Sequence, residues 1–157
     1  MSETEDTPKQ SWWRRLSAGL KRTSSSLGGA VAVWLARERP AEALIAESTF
    51  TSIPDVAASV YWFLPVRLMA RYCYETKAVL PLVKCPVLIA HSPQDEIVPF
   101  SHGRRLYDLA AAPKSFLELR GGHNEGWEES RDAYAQGLDE FLTSCLGPRT
   151  TRPEVRP

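Results

Sequence analysis

The chain has 157 residues, of which 43% are hydrophobic and 24% charged, a composition typical of one soluble globular domain rather than of a disordered or fibrous protein. Nineteen basic and 19 acidic side chains give a formal net charge of zero, so the bulk charge does not favour nucleic acid as a partner. The three cysteines are an odd number at wide spacings, which fits neither a disulfide framework nor a C-x-x-C metal pair, and we expect a reducing, cytoplasmic environment.

The first 25 residues divide into two stretches of different character. Residues 1–11 are acidic and polar and are expected to be disordered; they do not have the layout of a signal peptide, and no window of the chain has the eighteen apolar residues of a membrane span. Residues 12–25 have apolar side chains at helical spacing among basic ones, which predicts a basic amphipathic helix. Such a helix packs on the body of the protein or, alternatively, lies on an anionic membrane surface or in a partner groove through Trp12, Trp13, Arg14 and Arg15.

Residues 26–146 have the periodicities of alternating helices and strands. Leu27, Val31, Trp34 and Leu35 form a helical stripe that ends before Pro40. The segments 43–49 and 86–92 are short apolar runs typical of strands buried on both faces, and 115–122 is a third strand that ends in a glycine turn. Further helices are predicted over 101–112 and over 127–146, the latter with one apolar side made by Trp127, Tyr134, Leu138, Phe141, Leu142 and Cys145.

This alternation predicts an α/β domain with about three parallel strands and flanking helices. Residues 50–84, between the first two strands, are too many and too apolar for a bare loop, so we expect a cap-like helical insertion that partly covers a site at the strand ends. The Pro- and Arg-rich residues 147–157 are expected to form a disordered tail.

Two residues with catalytic chemistry follow the second and third predicted strands. Asp95 comes three residues after the strand 86–92, and His123 comes directly after the strand that ends at Gly122. In an open parallel sheet, functional groups belong on loops at the carboxyl ends of the strands. Taken singly, a carboxylate there is often a turn residue or helix cap, and a histidine after Gly-Gly is often a surface loop residue. His91 and His102 are weaker candidates, because the first closes a strand and the second begins a helix.

The stretch HSPQDEIVPFSHGRRLYDLAAAPKSFLELRGGHNEG resembles the acid-to-histidine region of the α/β-hydrolase superfamily, in the serine-hydrolase branch of ABHD13-like and Bem46-like proteins. LGGAVAVWLA is similar to the segment after the G-x-S-x-G-G nucleophile elbow of that branch. The resemblance implies Ser26 as nucleophile, Asp95 as the orienting acid, His123 as general base and the Leu27 backbone NH as an oxyanion donor. It implies a carboxylic ester, thioester or peptide-like substrate, small or lipid-like, and no metal or organic cofactor.

The sequence departs from that branch at and before the elbow. Ser24 stands where the pattern has its first glycine, at a sharp and strained turn. LSAGLKRTSS lacks the β-branched apolar run of the strand that delivers the nucleophile, so the expected fold is a partial α/β-hydrolase fold, the C-terminal half without the N-terminal half of the sheet. The loop that supplies a second oxyanion NH is missing as well, and weak or no activity is expected.

Residues 11–28 are instead similar to the first amphipathic helix of the N domain of the signal-recognition-particle receptor GTPase. No G-x-x-x-x-G-K-[ST] loop is present in the sequence, so GTPase activity is not implied. One hypothesis is that the reading frame is a fusion of two genes or an artefact of the gene model. A strand at 43–49 without its usual neighbour would expose an unpaired edge, which predicts oligomerisation or poor solubility.

Overall fold

A computed structural model of the chain describes residues 28–66, 73–111 and 113–147. The predicted amphipathic helix over 12–25, Ser26, Leu27 and nearly all of the predicted C-terminal tail lie outside these ranges. In chain order the elements are helix α1 (28–38), strand β1 (Leu44–Glu47), helix α2 (Ile53–Val60), helix α3 (Thr76–Val79) continued by a 3-10 turn (Leu80–Leu82), strand β2 (Val87–His91), helix α4 (Phe100–Leu109), strand β3 (Lys114–Glu118), helix α5 (Gly126–Glu129) and helix α6 (Arg131–Leu146).

The three strands form one parallel sheet in the order β1-β2-β3. Leu44 to Glu47 pair with Val87 to Ala90, and Val87 to His91 pair with Lys114 to Glu118. The prediction of an α/β fold with three parallel strands and flanking helices is therefore confirmed. Each strand is shorter than its predicted segment, because the chain passes into a loop before the predicted carboxyl end.

The core lies on both faces of β2, all five residues of which are buried. On one face α1, α4 and the turn after α3 pack against β1 and β2 through Val33, Leu44, Ala46, Leu80, Val83, Val87, Ile89, Leu106 and Ala110. On the opposite face α6 lies so close to β3 that a Cβ at Gly137 would come within 2.8 Å of Leu117. Three layers result, helix on sheet on helix, with the carboxyl ends of all three strands at one edge.

Helix α1 turns a different face to the sheet than its large apolar residues suggest. Val31, Trp34 and Leu35 are about half exposed, whereas Ala30 and Val33 are buried. Gly29 explains the difference, because a Cβ at this position would overlap Thr49 Oγ1 in the loop after β1. The close approach of α1 to this loop therefore requires glycine at position 29 and turns this side of the helix inward.

The helix predicted over 127–146 is two helices, α5 and α6, which meet at Ser130. The backbone amide of Arg120 donates a hydrogen bond of 2.6 Å to the Ser130 hydroxyl, which holds the junction against the end of β3. Of the predicted apolar side, Phe141 is buried and Tyr134, Leu138, Leu142 and Cys145 are partly buried, while the side chain of Trp127 lies outside the described part. Within the described residues no helix has the length and apolar character needed to cross a membrane.

Candidate active site

The loop after β2 folds around the side chain of Asp95. The Asp95 amide donates to the carbonyl of Ser92 at 3.2 Å, which closes a turn directly after the strand. Asp95 Oδ1 then accepts hydrogen bonds from the amides of Ile97, at 2.9 Å, and Val98, at 2.8 Å. An aspartate that accepts hydrogen bonds from the amides two and three residues further on holds its own loop in place. Both of these hydrogen bonds use Oδ1, so Oδ2 remains available for another partner.

The loop after β3 brings His123 to the same edge of the sheet. Gly121 has a φ of +91°, a left-handed conformation that favours glycine and lets the chain turn immediately after the strand. The Ser92 hydroxyl donates to the carbonyl of Gly121, which joins the two loops. The backbone amide of His123 donates to Glu96 Oε2 at 3.0 Å, a second connection between them.

Asp95 and His123 meet where these loops join. His123 Nδ1 lies 2.7 Å from Asp95 Oδ2, and the two side chains are 4% and 0% exposed. Burial alone would raise the pKa of Asp95, but the hydrogen bonds from His123 and from the Val98 and Ile97 amides outweigh it and leave the pKa below its ordinary value. An ionised carboxylate only accepts hydrogen bonds, so His123 donates through Nδ1–H.

His91, the last residue of β2, lies beneath this pair. Its side chain is fully buried, and Nε2 lies 2.9 Å from the carbonyl of Val98 and 3.5 Å from Asp95 Oδ2. Because a carbonyl only accepts, Nε2 carries a proton. Burial lowers the pKa of His91. The neutral imidazole of His91 therefore stabilises the Asp95 loop through its hydrogen bond to Val98, which is a structural role.

His102, on α4, belongs to a second buried polar group. Its Nδ1 lies 2.8 Å from Thr51 Oγ1, which donates to Asp55 Oδ2 at 2.9 Å, and Lys77 Nζ donates to the same oxygen at 2.7 Å. Burial raises the pKa of Asp55, but hydrogen bonds from Lys77, Thr51 and Ser52 outweigh it and bring the pKa to about 2. The group ties α4, α3 and the loop after β1 together.

The predicted nucleophile Ser26 and the predicted oxyanion donor at Leu27 lie outside the described residues, so their positions stay predictions. The start of the described part of α1 does lie at the active edge of the sheet. Gly29, three residues after Ser26 in the sequence, is in close contact with Thr49, which follows the carboxyl end of β1. Ala30 packs with Val98 of the Asp95 loop in a small apolar cluster.

Sequence reasoning missed the residues that hold the pair in place. Ile97 and Val98 donate hydrogen bonds to Asp95 through their backbone amides. The sequence does indicate this contact, because an aspartate in a polar stretch after a strand often begins a turn in which its side chain accepts from the following amides. Glu96 has no comparable signal, since its contact is with a loop 27 residues further on. In the described part of the chain, no three His, Cys, Asp or Glu side chains gather in a way that could hold a metal ion.

No family model matches the chain. Among curated proteins, it is 42% identical to an uncharacterized protein of Mycobacterium tuberculosis over 119 residues, which are 75% of this chain and 42% of that protein. It is 34% identical over 136 residues to the α/β hydrolase domain-containing protein WAV2 of Arabidopsis thaliana, with 74% of this chain and 44% of that protein covered. It is 34% identical over 113 residues to the lysophosphatidylserine lipase ABHD12 of Rattus norvegicus, with 60% and 28% covered. The chain thus spans less than half the length of these relatives.

Solved structures of the same fold include two hydrolases. The esterase domain of a Rhodothermus marinus protein superposes with a TM-score of 0.52 at 21% identity, over 77% of this chain and 56% of that one. The monoacylglycerol lipase of Paleococcus ferrophilus superposes with a TM-score of 0.55 at 20% identity, over 76% and 66%. At these identities the likeness concerns the fold, and it agrees with the parallel sheet and the helices on its two faces. From its sequence relatives and its fold together, the chain belongs to the α/β-hydrolase superfamily and carries a C-terminal portion of that fold.

Proposed function

We propose that the chain is a weakly active serine hydrolase that cleaves carboxylic ester, thioester or peptide-like acyl bonds, with Ser26 as nucleophile, His123 as general base and Asp95 as the acid that orients it. The observation that carries the proposal is the 2.7 Å contact between His123 Nδ1 and Asp95 Oδ2 on two neighbouring loops at the carboxyl edge of the sheet. The names of similar proteins, a lysophosphatidylserine lipase and an esterase domain among them, support an ester as the substrate class.

The proposed chemistry depends on which imidazole nitrogen Asp95 engages. With Nδ1–H donated to the carboxylate, Nε2 is the nitrogen that accepts the proton of Ser26 as its Oγ bonds to the substrate carbonyl carbon. The carbonyl π electrons move to oxygen, and the Leu27 amide stabilises that oxyanion. His123 then returns the proton to the leaving alcohol, thiol or amine as the carbonyl re-forms. A water, deprotonated by the same base, releases the acid from the acyl-serine.

Other features of the chain remain predictions beside this proposal. Membrane-surface contact through Trp12, Trp13, Arg14 and Arg15 would be a property of residues outside the described ranges. The cytoplasmic location and association through the edge of β1 also stay predictions.

A fluorophosphonate probe tests the proposal, because it forms a covalent bond only with a serine that a base activates. We expect one adduct per chain, mapped to Ser26 by peptide mass spectrometry and abolished by Ser26→Ala and by His123→Ala. The matched control is Ser25→Ala, which removes the neighbouring hydroxyl and should label like the unaltered chain. Equal labelling of Ser26→Ala and Ser25→Ala, or no labelling of the unaltered chain, would contradict the proposal.

A further inference from the structure

A row of exposed apolar side chains lies at the far end of α2. Trp62 is 84% exposed, Phe63 65% and Val60 53%, and the neighbouring Tyr61 and Leu64 are exposed as well. The ring of Phe63 meets the rings of Tyr61 and Trp62 edge to face, with centroids 6.5 Å and 6.1 Å apart. We call residues 60–64 the aromatic tip. Adjacent large apolar side chains with this much exposure mark a binding surface.

The aromatic tip extends from a base that is fixed to the body of the protein. At the start of α2, the Asp55 carboxylate binds Lys77 of α3 at 2.7 Å. Ile53 and Val56 pack against a buried apolar cluster. Burial then falls along the helix, and every residue from 59 to 65 is exposed. The tip is therefore the part of α2 that stands away from the body of the protein.

The segment that carries the tip is uncharged, and several of its polar groups are already hydrogen-bonded. Residues 56–66 contain no acidic or basic side chain. The amides of Tyr61, Leu64 and Val66 donate to carbonyls within this segment. The Ser59 hydroxyl does so as well. Polar groups that are already paired cost little to remove from water, so the segment is suited to an apolar surrounding.

The size and composition of the tip favour a lipid surface over a protein partner. Stable protein–protein interfaces take about 800 Å² and roughly 20–30 residues from each partner, and they have a polar rim. The tip offers five consecutive apolar residues within an uncharged segment. Trp and Tyr rings are enriched where the headgroups of a bilayer meet water, and Phe and Leu enter the boundary of the acyl chains. Both kinds of residue are present in the tip.

We propose that the aromatic tip inserts into the surface of a phospholipid bilayer and that this insertion does not require anionic lipid. The predicted basic helix over 12–25 would instead depend on negatively charged headgroups, an attraction that salt screens. The proposed insertion is independent of the proposed hydrolase function, because it requires no turnover.

Flotation of the full 157-residue chain with phosphatidylcholine vesicles, at low and at high salt, tests the proposal. The tip variant combines Trp62→Ser with Phe63→Ser. Its matched control combines Trp34→Ser with Leu35→Ser, because these α1 side chains are 53% and 49% exposed but lie outside the tip. A third protein, with Trp12→Ser and Trp13→Ser, tests the N-terminal segment.

We expect the unaltered chain, the matched control and the N-terminal variant to bind these vesicles equally at both salt concentrations. The tip variant should partition about tenfold more weakly or less, because burying one such ring in an apolar surrounding accounts for at least that factor. All variants should keep the same circular dichroism spectrum, since the substituted α1 and tip side chains are exposed.

No binding by the unaltered chain, or equal binding by the tip variant and its matched control, would overturn the proposal. Loss of binding in the N-terminal variant alone would assign membrane contact to residues 12–25 and would overturn it too. A doubled mass in lipid-free buffer that requires an intact tip, without vesicle binding, would assign the tip to a second copy of the chain instead.

Discussion

Burial decides the charge of two of the three histidines. His91 and His102 both lie inside the molecule, and desolvation lowers the pKa of each. Around His102, the Asp55 carboxylate acts to raise the pKa, while His91, Arg105 and Lys77 act to lower it. Both imidazoles therefore stay neutral in the folded protein at pH values at which the unfolded chain takes up protons.

This difference predicts how stability depends on pH. Because the folded pKa lies below the unfolded value of 6.5, the free energy of unfolding falls as the pH drops through 6.5 toward the folded pKa. Asp55 and Asp95 change the free energy of unfolding only near and below pH 4, because the ordinary pKa of an aspartate is 3.8 and the pKa of each lies below that value. His102→Asn keeps a side-chain polar atom near the Nδ1 position but does not titrate.

In the variant, the fall in the free energy of unfolding as the pH drops below 6.5 should be less steep than in the unaltered chain. The maximum for one proton is about 1.4 kcal/mol per pH unit. Urea unfolding of both proteins at several pH values measures it. Identical slopes for His102→Asn and the unaltered chain would show that His102 is not held neutral by the fold.

Single residues also show how far sequence reasoning reaches. Asp95 and His123 could be predicted as neighbours, because two parallel strands carry the loops that follow them to one edge. The hydrogen bond from the His123 amide to Glu96 could not be predicted, because it depends on how two loops far apart in the chain meet. Ser26 was implied only by the resemblance of the segment that follows it, and its position stays a prediction because it lies outside the described residues.

At the scale of elements, periodicity predicted the three strands and the helices but not which face of α1 is buried. The predicted stripe consists of the large apolar residues Val31, Trp34 and Leu35, which are about half exposed. The side of α1 that packs inward is instead the one where Gly29 lets the helix backbone come close to Thr49. The break at Ser130 was likewise not predictable from the local pattern, because it is held by a hydrogen bond to the Arg120 amide. Tertiary contacts overrode local periodicity in both places.

The approach of α1 to the loop after β1 predicts opposite effects for two adjacent glycines. Gly29→Ala places a Cβ against Thr49 Oγ1 and should lower the free energy of unfolding by about 1–3 kcal/mol. Gly28→Ala meets nothing within 4 Å and should stabilise α1 by about 0.4–1 kcal/mol. Thr49→Ala should relieve part of the Gly29→Ala loss, which a double-mutant cycle in urea unfolding measures. Additive effects of Gly29→Ala and Thr49→Ala would contradict the contact.

At the scale of the whole molecule, the order β1-β2-β3 leaves β1 at an edge of the described sheet. The amide of Leu44 donates to the carbonyl of Pro86, just before β2, and the amide of Ser48 donates to the carbonyl of Ala90 in β2. By alternation, the amide of Ile45 points to the opposite side. An unpaired strand edge is a template for another chain.

Ile45→Pro tests the edge, because it removes an amide that β2 does not use. We expect concentration-dependent association of the unaltered chain in light scattering and a lower mean mass for Ile45→Pro. Ala46→Pro is the matched control, since it removes an amide on the β2 side and should instead lower the unfolding midpoint. An unaltered chain that is monomeric at all concentrations would contradict association through β1.

The proposed catalytic role of His123 depends most on Asp95 holding the imidazole through Nδ1, and the tautomer of that ring tests it directly. ¹⁵N–¹H NMR of the three histidines at high pH, in the unaltered chain and in Asp95→Asn, distinguishes the two ring nitrogens. We predict that His123 carries its proton on Nδ1, with a strongly downfield proton signal, and that Asp95→Asn removes the signal. His123 protonated on Nε2, or a spectrum of its ring unchanged by Asp95→Asn, would contradict that role.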